Sequence, residues 1–142
     1  MKGKDFIDID ELFEFITSDE LLVIVGHPYR RHTEFPELNS KVLAKITAIE
    51  FNAKDLYKSG IEEMKDKVIK LADKLNIPIT CGSDTHHFIQ ISSVKNIFNK
   101  ECSTIKEIKE EIRLGNYKTE ISSDLKIRVK SAIIIKKLIC NK

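Results

Sequence analysis

Apolar and polar positions recur along this chain with two periods, and the places where one gives way to the other mark its elements. Leu12, Phe13 and Ile16 have helical spacing, and Asp8 or Asp10 can cap a first helix that runs to about Phe15 or Thr17. The unbroken run Leu21-Leu22-Val23-Ile24-Val25 stops at Gly26-His27-Pro28 and predicts a strand buried on both faces, as in a parallel sheet. Residues 29–39 hold Pro36 and four charged side chains besides His32, and they read as a long loop before a short helix over 40–45.

A second strand is predicted over 46–51, with Ile46, Ala48, Glu50 and Asn52 on one face and Thr47, Ile49 and Phe51 on the other. Ser59 and Glu62 have the spacing of a capping box, and Ile61, Met64, Val68, Leu71, Ala72 and Leu75 make the apolar stripe of a helix to Asn76. A third strand, 77–81, has Pro78 near its start and leads into Gly82-Ser83-Asp84-Thr85-His86-His87. Beyond it the pattern predicts a small helix over 92–98 and a clearer helix capped by Ser103 or Thr104 that ends at Gly115. A short strand follows over 117–121, then a terminal helix over 124–139, for which the alternation in 126–130 offers strand as the rival. Helices between strands imply an α/β fold with mainly parallel strands.

The 142 residues suit a single domain, and 42% hydrophobic with 32% charged residues is ordinary globular composition. No apolar run approaches the roughly 18 residues of a membrane span, and the first residues lack the apolar core of a signal peptide, so a cytoplasmic location without a membrane partner is the expectation. Cys81, Cys102 and Cys140 are widely spaced, which argues for reduced thiols over disulfides or a thiolate zinc site. The net charge of +2 conceals an asymmetry. Six of the 24 basic residues follow Asp124, the last acid, so residues 1–125 hold 18 basic against 22 acidic groups, a net of −4. That body does not suit nucleic acid, and the basic, isoleucine-rich tail reads as an amphipathic helix with snorkelling lysines.

Candidate chemistry gathers where strands end. In extended chain, Asp84 and His86 share a face and His87 points away, which gives a carboxylate and an imidazole metal-ligand spacing. His27 closes the first strand, and Glu50 and Asn52 the second. In parallel α/β folds the ligand site lies at the carboxyl ends of the strands, so these residues are expected at one edge. Imidazole and carboxylate without thiolate suit Mn²⁺, Fe²⁺ or Zn²⁺ better than Ca²⁺. Such an ion lowers the pKa of bound water and can drive hydrolysis of a phosphate ester, with Arg30 placed to hold the phosphate by planar bidentate contacts.

The segments Val23-Ile24-Val25-Gly26-His27-Pro28-Tyr29-Arg30, Ile49-Glu50-Phe51-Asn52 and Cys81-Gly82-Ser83-Asp84-Thr85-His86 resemble, in order and spacing, the later motifs of the PHP (polymerase and histidinol phosphatase) family over about residues 20–115. The resemblance implies a partial distorted (β/α) barrel and metal-dependent phosphoester hydrolysis of a small phosphorylated substrate. It implies His27, Asp84 and His86 as metal ligands and Glu50, Asn52 and His87 in support. A complete centre of this family holds two or three ions. Arg30 is then the expected phosphate contact and His32 a candidate general acid, with His87 as the other.

The family's opening H-x-H strand has no counterpart before residue 20, and none of the four histidines lies upstream of His27. The chain thus resembles the C-terminal half of a PHP domain. Two expectations follow: a phosphoesterase that needs an upstream half, or a catalytically incomplete binding or assembly module. In both, the first strand is an uncovered edge, so self-association, a partner chain supplying the missing half, or cover by the basic tail is expected.

Overall fold

Three strands running in one direction organise the chain. The computed structural model describes residues 8–16, 21–30 and 34–140. In order, the elements are α1 (Ile9–Phe15), β1 (Ile24–Val25), α2 (Ser40–Lys45), β2 (Ala48–Asn52), α3 (Ala53–Ser59), α4 (Ile61–Leu75) and β3 (Ile79–Gly82). A 3-10 turn (Phe88–Gln90), β4 (Val94–Phe98), α5 (Ile105–Leu114), β5 (Tyr117–Ile121) and α6 (Leu125–Cys140) complete them. Parallel pairing in the order β1-β2-β3 sets Val25 beside Ile49, Glu50 beside Thr80 and Asn52 beside Gly82. β4 and β5 form a separate antiparallel pair. The α/β class is as expected, but the described strands make an open sheet and not a barrel.

The core forms around β2, the middle strand, whose Ala48 and Ile49 are fully buried. The stripe on α4 is the one its period predicts: Met64, Val68, Leu71 and Ala72 are buried, and the helix packs on β2 and β3. Met64, Val68 and Leu71 each contribute about 1.5–3 kcal/mol on leaving water, and Ala72 less. α4 stops at Asn76, which takes the left-handed conformation (φ 53°) and donates its N–H back to Ala72 and Asp73. Caps act as expected at Asp8 and Thr104, the latter in a reciprocal box with Glu107, and Gly115 ends α5 at φ 69°.

Several local expectations give way to tertiary context. Residues 53–59, for which the pattern predicts no element, form α3, started by Asn52 Oδ1 accepting from the Lys54 N–H. Ser59 is therefore the last residue of a helix, and the Ser59–Glu62 capping box does not form. Gly60 (φ 94°) enters α4 without a side-chain cap. Residues 94–98 are a strand where a small helix is expected, because β5 supplies a partner: Val94 pairs with Ile121 and Phe98 with Tyr117, rings 5.5 Å apart.

The first strand is shorter than the apolar run suggests and is not buried on both faces. Among the described residues β1 pairs only with β2, and Leu21 (45%) and Ile24 (41%) remain exposed. The terminal segment is a helix, as its longer period predicts, but α6 lies against α3 and the 3-10 turn and so is not the expected cover for β1. No helix among the described residues is long and apolar enough to cross a membrane.

Candidate functional site at the carboxyl edge of the sheet

Because β1, β2 and β3 are parallel, the residues that follow them meet at one edge. Glu50 reaches across it from within β2. Its Oε2 accepts from the His27 main-chain N–H at 3.0 Å and from Asn52 Nδ2 at 3.1 Å. Arg30 enters from the loop after β1. Its Nε donates to Asp55 Oδ1 at 2.9 Å, and its Nη2 donates to Asn52 Oδ1 and lies 2.9 Å from Asp84 Oδ2. Burial opposes the charge on Arg30, but the hydrogen bond and charge of Asp55 and the charge of Asp84 outweigh it and hold its pKa above the ordinary value. Glu50, Asp55 and Asp84 together set three carboxylates against one guanidinium.

The chain is not extended through Gly82-Ser83-Asp84-Thr85-His86. Asp84 turns at φ 49°, and His27 across the edge has φ 38°, a conformation that costs a residue with a side chain roughly 1–3 kcal/mol. This turn, and not strand alternation, brings Asp84 and His86 together: His86 Nδ1 is 2.9 Å from the Asp84 main-chain oxygen and 3.8 Å from Oδ1. Their environments differ, the Asp84 side chain being 13% exposed and that of His86 60%. His87 does not simply point away. It caps the 3-10 turn, with its ring 4.4 Å from that of Phe88.

Gln90, 4% exposed, ties this loop down. Its Oε1 accepts from the N–H groups of His86 (2.9 Å) and His87 (3.2 Å), and its Nε2 donates to the Asp84 oxygen (3.2 Å). From the other side, Ser83 Oγ donates to the Val94 carbonyl, and Asn96 binds both the N–H and the carbonyl of Cys81 at 3.0 Å. The amide of Asn96 thus does for Cys81 what a further strand would do. Burial, with the Glu50 charge adding to it, pushes the Cys81 thiol up to about 12, so it stays protonated near neutrality.

Tested as a metal site, the arrangement falls short. Among the described residues, no three His, Cys, Asp or Glu side chains converge as a cluster able to hold an ion. Asp84 faces Arg30, His86 Nδ1 is turned to a main-chain oxygen, and His27 engages the edge through its backbone. As folded, His27, Asp84 and His86 do not fit a divalent ion. Arg30, the expected phosphate contact, is committed to carboxylates. His32 and its neighbour Arg31 lie outside the described residues.

Asp55, Gln90 and Asn96 belong to the edge but were not legible as site residues. Asp55 had a signal, since it falls three positions after the cap Asn52 in the first turn of α3. Gln90 and Asn96 act across turns and sheets that no local period announces.

Residues 63–117 match the sequence pattern of a family described as PHP-associated. The match covers less than half of the chain. Asp84 and His86 lie inside the matched segment, whereas His27, Arg30, Glu50 and Asn52 precede it. None of the curated proteins matches the chain by sequence. Among solved structures, the crystal structure of PsfC from Pseudomonas syringae PB-5123 is similar in fold, with a TM-score of 0.72 at 18% identity over 93% of this chain. The chain spans about half of that protein, 52% of its length.

Proposed function

We propose that this chain is a PHP-derived binding or assembly module that keeps the last ligand pair of a phosphoesterase centre locked by an arginine. The observation that carries the reading is Arg30, 2.9 Å from Asp55 and from Asp84. A divalent cation at Asp84 would have to displace a positive charge already seated there. Removing one partner from a buried ion pair costs about 3–5 kcal/mol, and less for a pair as partly exposed as this one. The uncovered edge at β1, with Leu21 and Ile24 exposed, supports an assembly role in which a second copy or another chain adds a strand.

A second reading is a metal-dependent phosphoesterase acting on a small phosphorylated substrate. It is favoured by the excess of carboxylates at the edge and by the left-handed backbone of both His27 and Asp84, since strain of that kind gathers at functional sites. In that reading His27, Asp84 and His86 would rearrange around Mn²⁺, Zn²⁺ or Fe²⁺, which would supply an activated water. Arg30 would contact phosphate, and His32 would be the proton donor.

Metal stoichiometry and hydrolysis of a generic phosphomonoester, measured together, separate the two. The arginine-locked reading expects substoichiometric Mn²⁺ or Zn²⁺ and no turnover, with metal uptake rising in Arg30→Met and lost again when Asp84→Ala is added. Stoichiometric metal in the unaltered chain, with turnover abolished by Asp84→Ala, would establish the phosphoesterase instead. Thermal melts of each variant by circular dichroism confirm that the fold survives.

A further inference from the structure

A cavity of about 270 Å³ opens beside this edge, between the loop carrying His86 and His87 and the helix α6. It is just below the roughly 300–1,000 Å³ of small-molecule sites. Its polar lining comes from Lys54, His86, His87, Gln90 and Lys136, and the rest is an aliphatic wall on α6 that includes Val129 and Ile133. Among the described residues no carboxylate lines it. Asp84, the acid nearest in sequence to its histidines, is paired with Arg30. Among the described residues, no ion pair engages Lys54 or Lys136.

The donors can be assigned from their partners. Gln90 is spent on the loop, both ends of its amide being bonded. His87 Nδ1 accepts from the Ile89 N–H, so in the neutral ring the proton sits on Nε2, which is a donor. Two lysines and one imidazole N–H donor therefore accompany an apolar wall. That combination selects a ligand with two properties at once, an apolar body and a terminal negative charge.

We propose that this cavity binds a small amphipathic anion, an aryl or short alkyl group bearing a phosphate or carboxylate. The apolar body lies on the α6 wall and the anionic oxygens meet Lys54, Lys136 and His87. Neither a metal ion nor the Asp84 carboxylate takes part, so this binding stands or falls independently of the arginine lock.

The test titrates the full chain with 1-naphthyl phosphate, 1-naphthoate, 1-naphthol and inorganic phosphate, using calorimetry for affinity and amide chemical shifts for location. At least one naphthyl anion is expected to bind about tenfold more tightly than naphthol or phosphate alone, the worth of one charge-assisted contact. The shifts are expected at residues 86–90 and on α6, and the ratio between the two anions identifies the head group. Replacing both Lys54→Gln and Lys136→Gln brings the anions down to the naphthol level while naphthol is unchanged. Ile135→Trp, which fills the cavity from α6, abolishes binding in a chain whose melt shows it still folded. Naphthol binding as tightly as its anions, inorganic phosphate binding as tightly as either, or shifts confined to another surface would each overturn the proposal.

Discussion

The Glu50 carboxylate occupies the space that a side chain at Gly82 would need. A Cβ at position 82 would lie 1.9 Å from Glu50 Oε1 and 2.9 Å from its carboxyl carbon. The glycine that opens Gly82-Ser83-Asp84 is thus not required by its own backbone, which has no positive φ. It is required by an acid on the neighbouring strand, and that acid in turn holds the main chain at His27. Two of the segments that resemble PHP motifs are, physically, one packed contact.

Gly82→Ala is expected to destabilise the fold by about 1–3 kcal/mol, the usual cost of overpacking, since Glu50 is fixed by two hydrogen bonds and cannot swing away freely. Denaturant unfolding of the single and double variants checks the mechanism. In a cycle with Glu50→Ala the two losses should be strongly non-additive, and simple additivity would show that the clash is relieved elsewhere.

Gln90→Ala should cost about 2–4 kcal/mol, because it orphans the N–H groups of His86 and His87 in a loop where the glutamine itself is 4% exposed. Hydrogen exchange of those two amides is the direct readout. Their protection should fall well before global unfolding, whereas protection equal to wild type would remove Gln90 from its organising place.

Cys81 should alkylate slowly. A thiol pushed up to about 12 presents little thiolate at pH 8, and its Sγ also faces Asn96 Oδ1 at 3.4 Å. Mass-spectrometric mapping of iodoacetamide labelling is expected to show Cys81 protected in the native chain and fully labelled in denaturant. Rapid native labelling would contradict the burial argument.

The cap of α5 should weaken in acid. Glu107 accepts from the Ser103 and Thr104 N–H groups, which lowers its pKa below 4.5. A carboxyl with a depressed folded-state pKa adds stability above its unfolded value and loses it as the pH falls through the folded one. Protection of the amides at the start of α5, taken relative to their intrinsic exchange rates, should therefore fall below about pH 4.5, the ordinary glutamate value, and Glu107→Gln should abolish that pH dependence.

The residues themselves determined the elements whose pattern is local. α4 follows from an apolar stripe over fifteen residues, α5 from Thr104, Glu107 and Gly115, and α6 from a period that outlasts its brief alternation. The meeting of His27, Glu50, Asn52 and Asp84 at one edge was also legible, because apolar runs separated by helices imply parallel strands with a common carboxyl end.

Only the tertiary structure decided what those residues do to one another. Residues 94–98 became a strand because β5 offered a partner 23 residues on, and Asn96 became its link to Cys81. The Asp84 turn left the extended geometry on which the Asp84–His86 spacing had suggested ligation, and Arg30 reached the same carboxylate first. Side-chain type and spacing state which groups can bind a cation. Which cation arrives depends on distances set by packing, and in this fold the nearest one is a guanidinium from the chain itself.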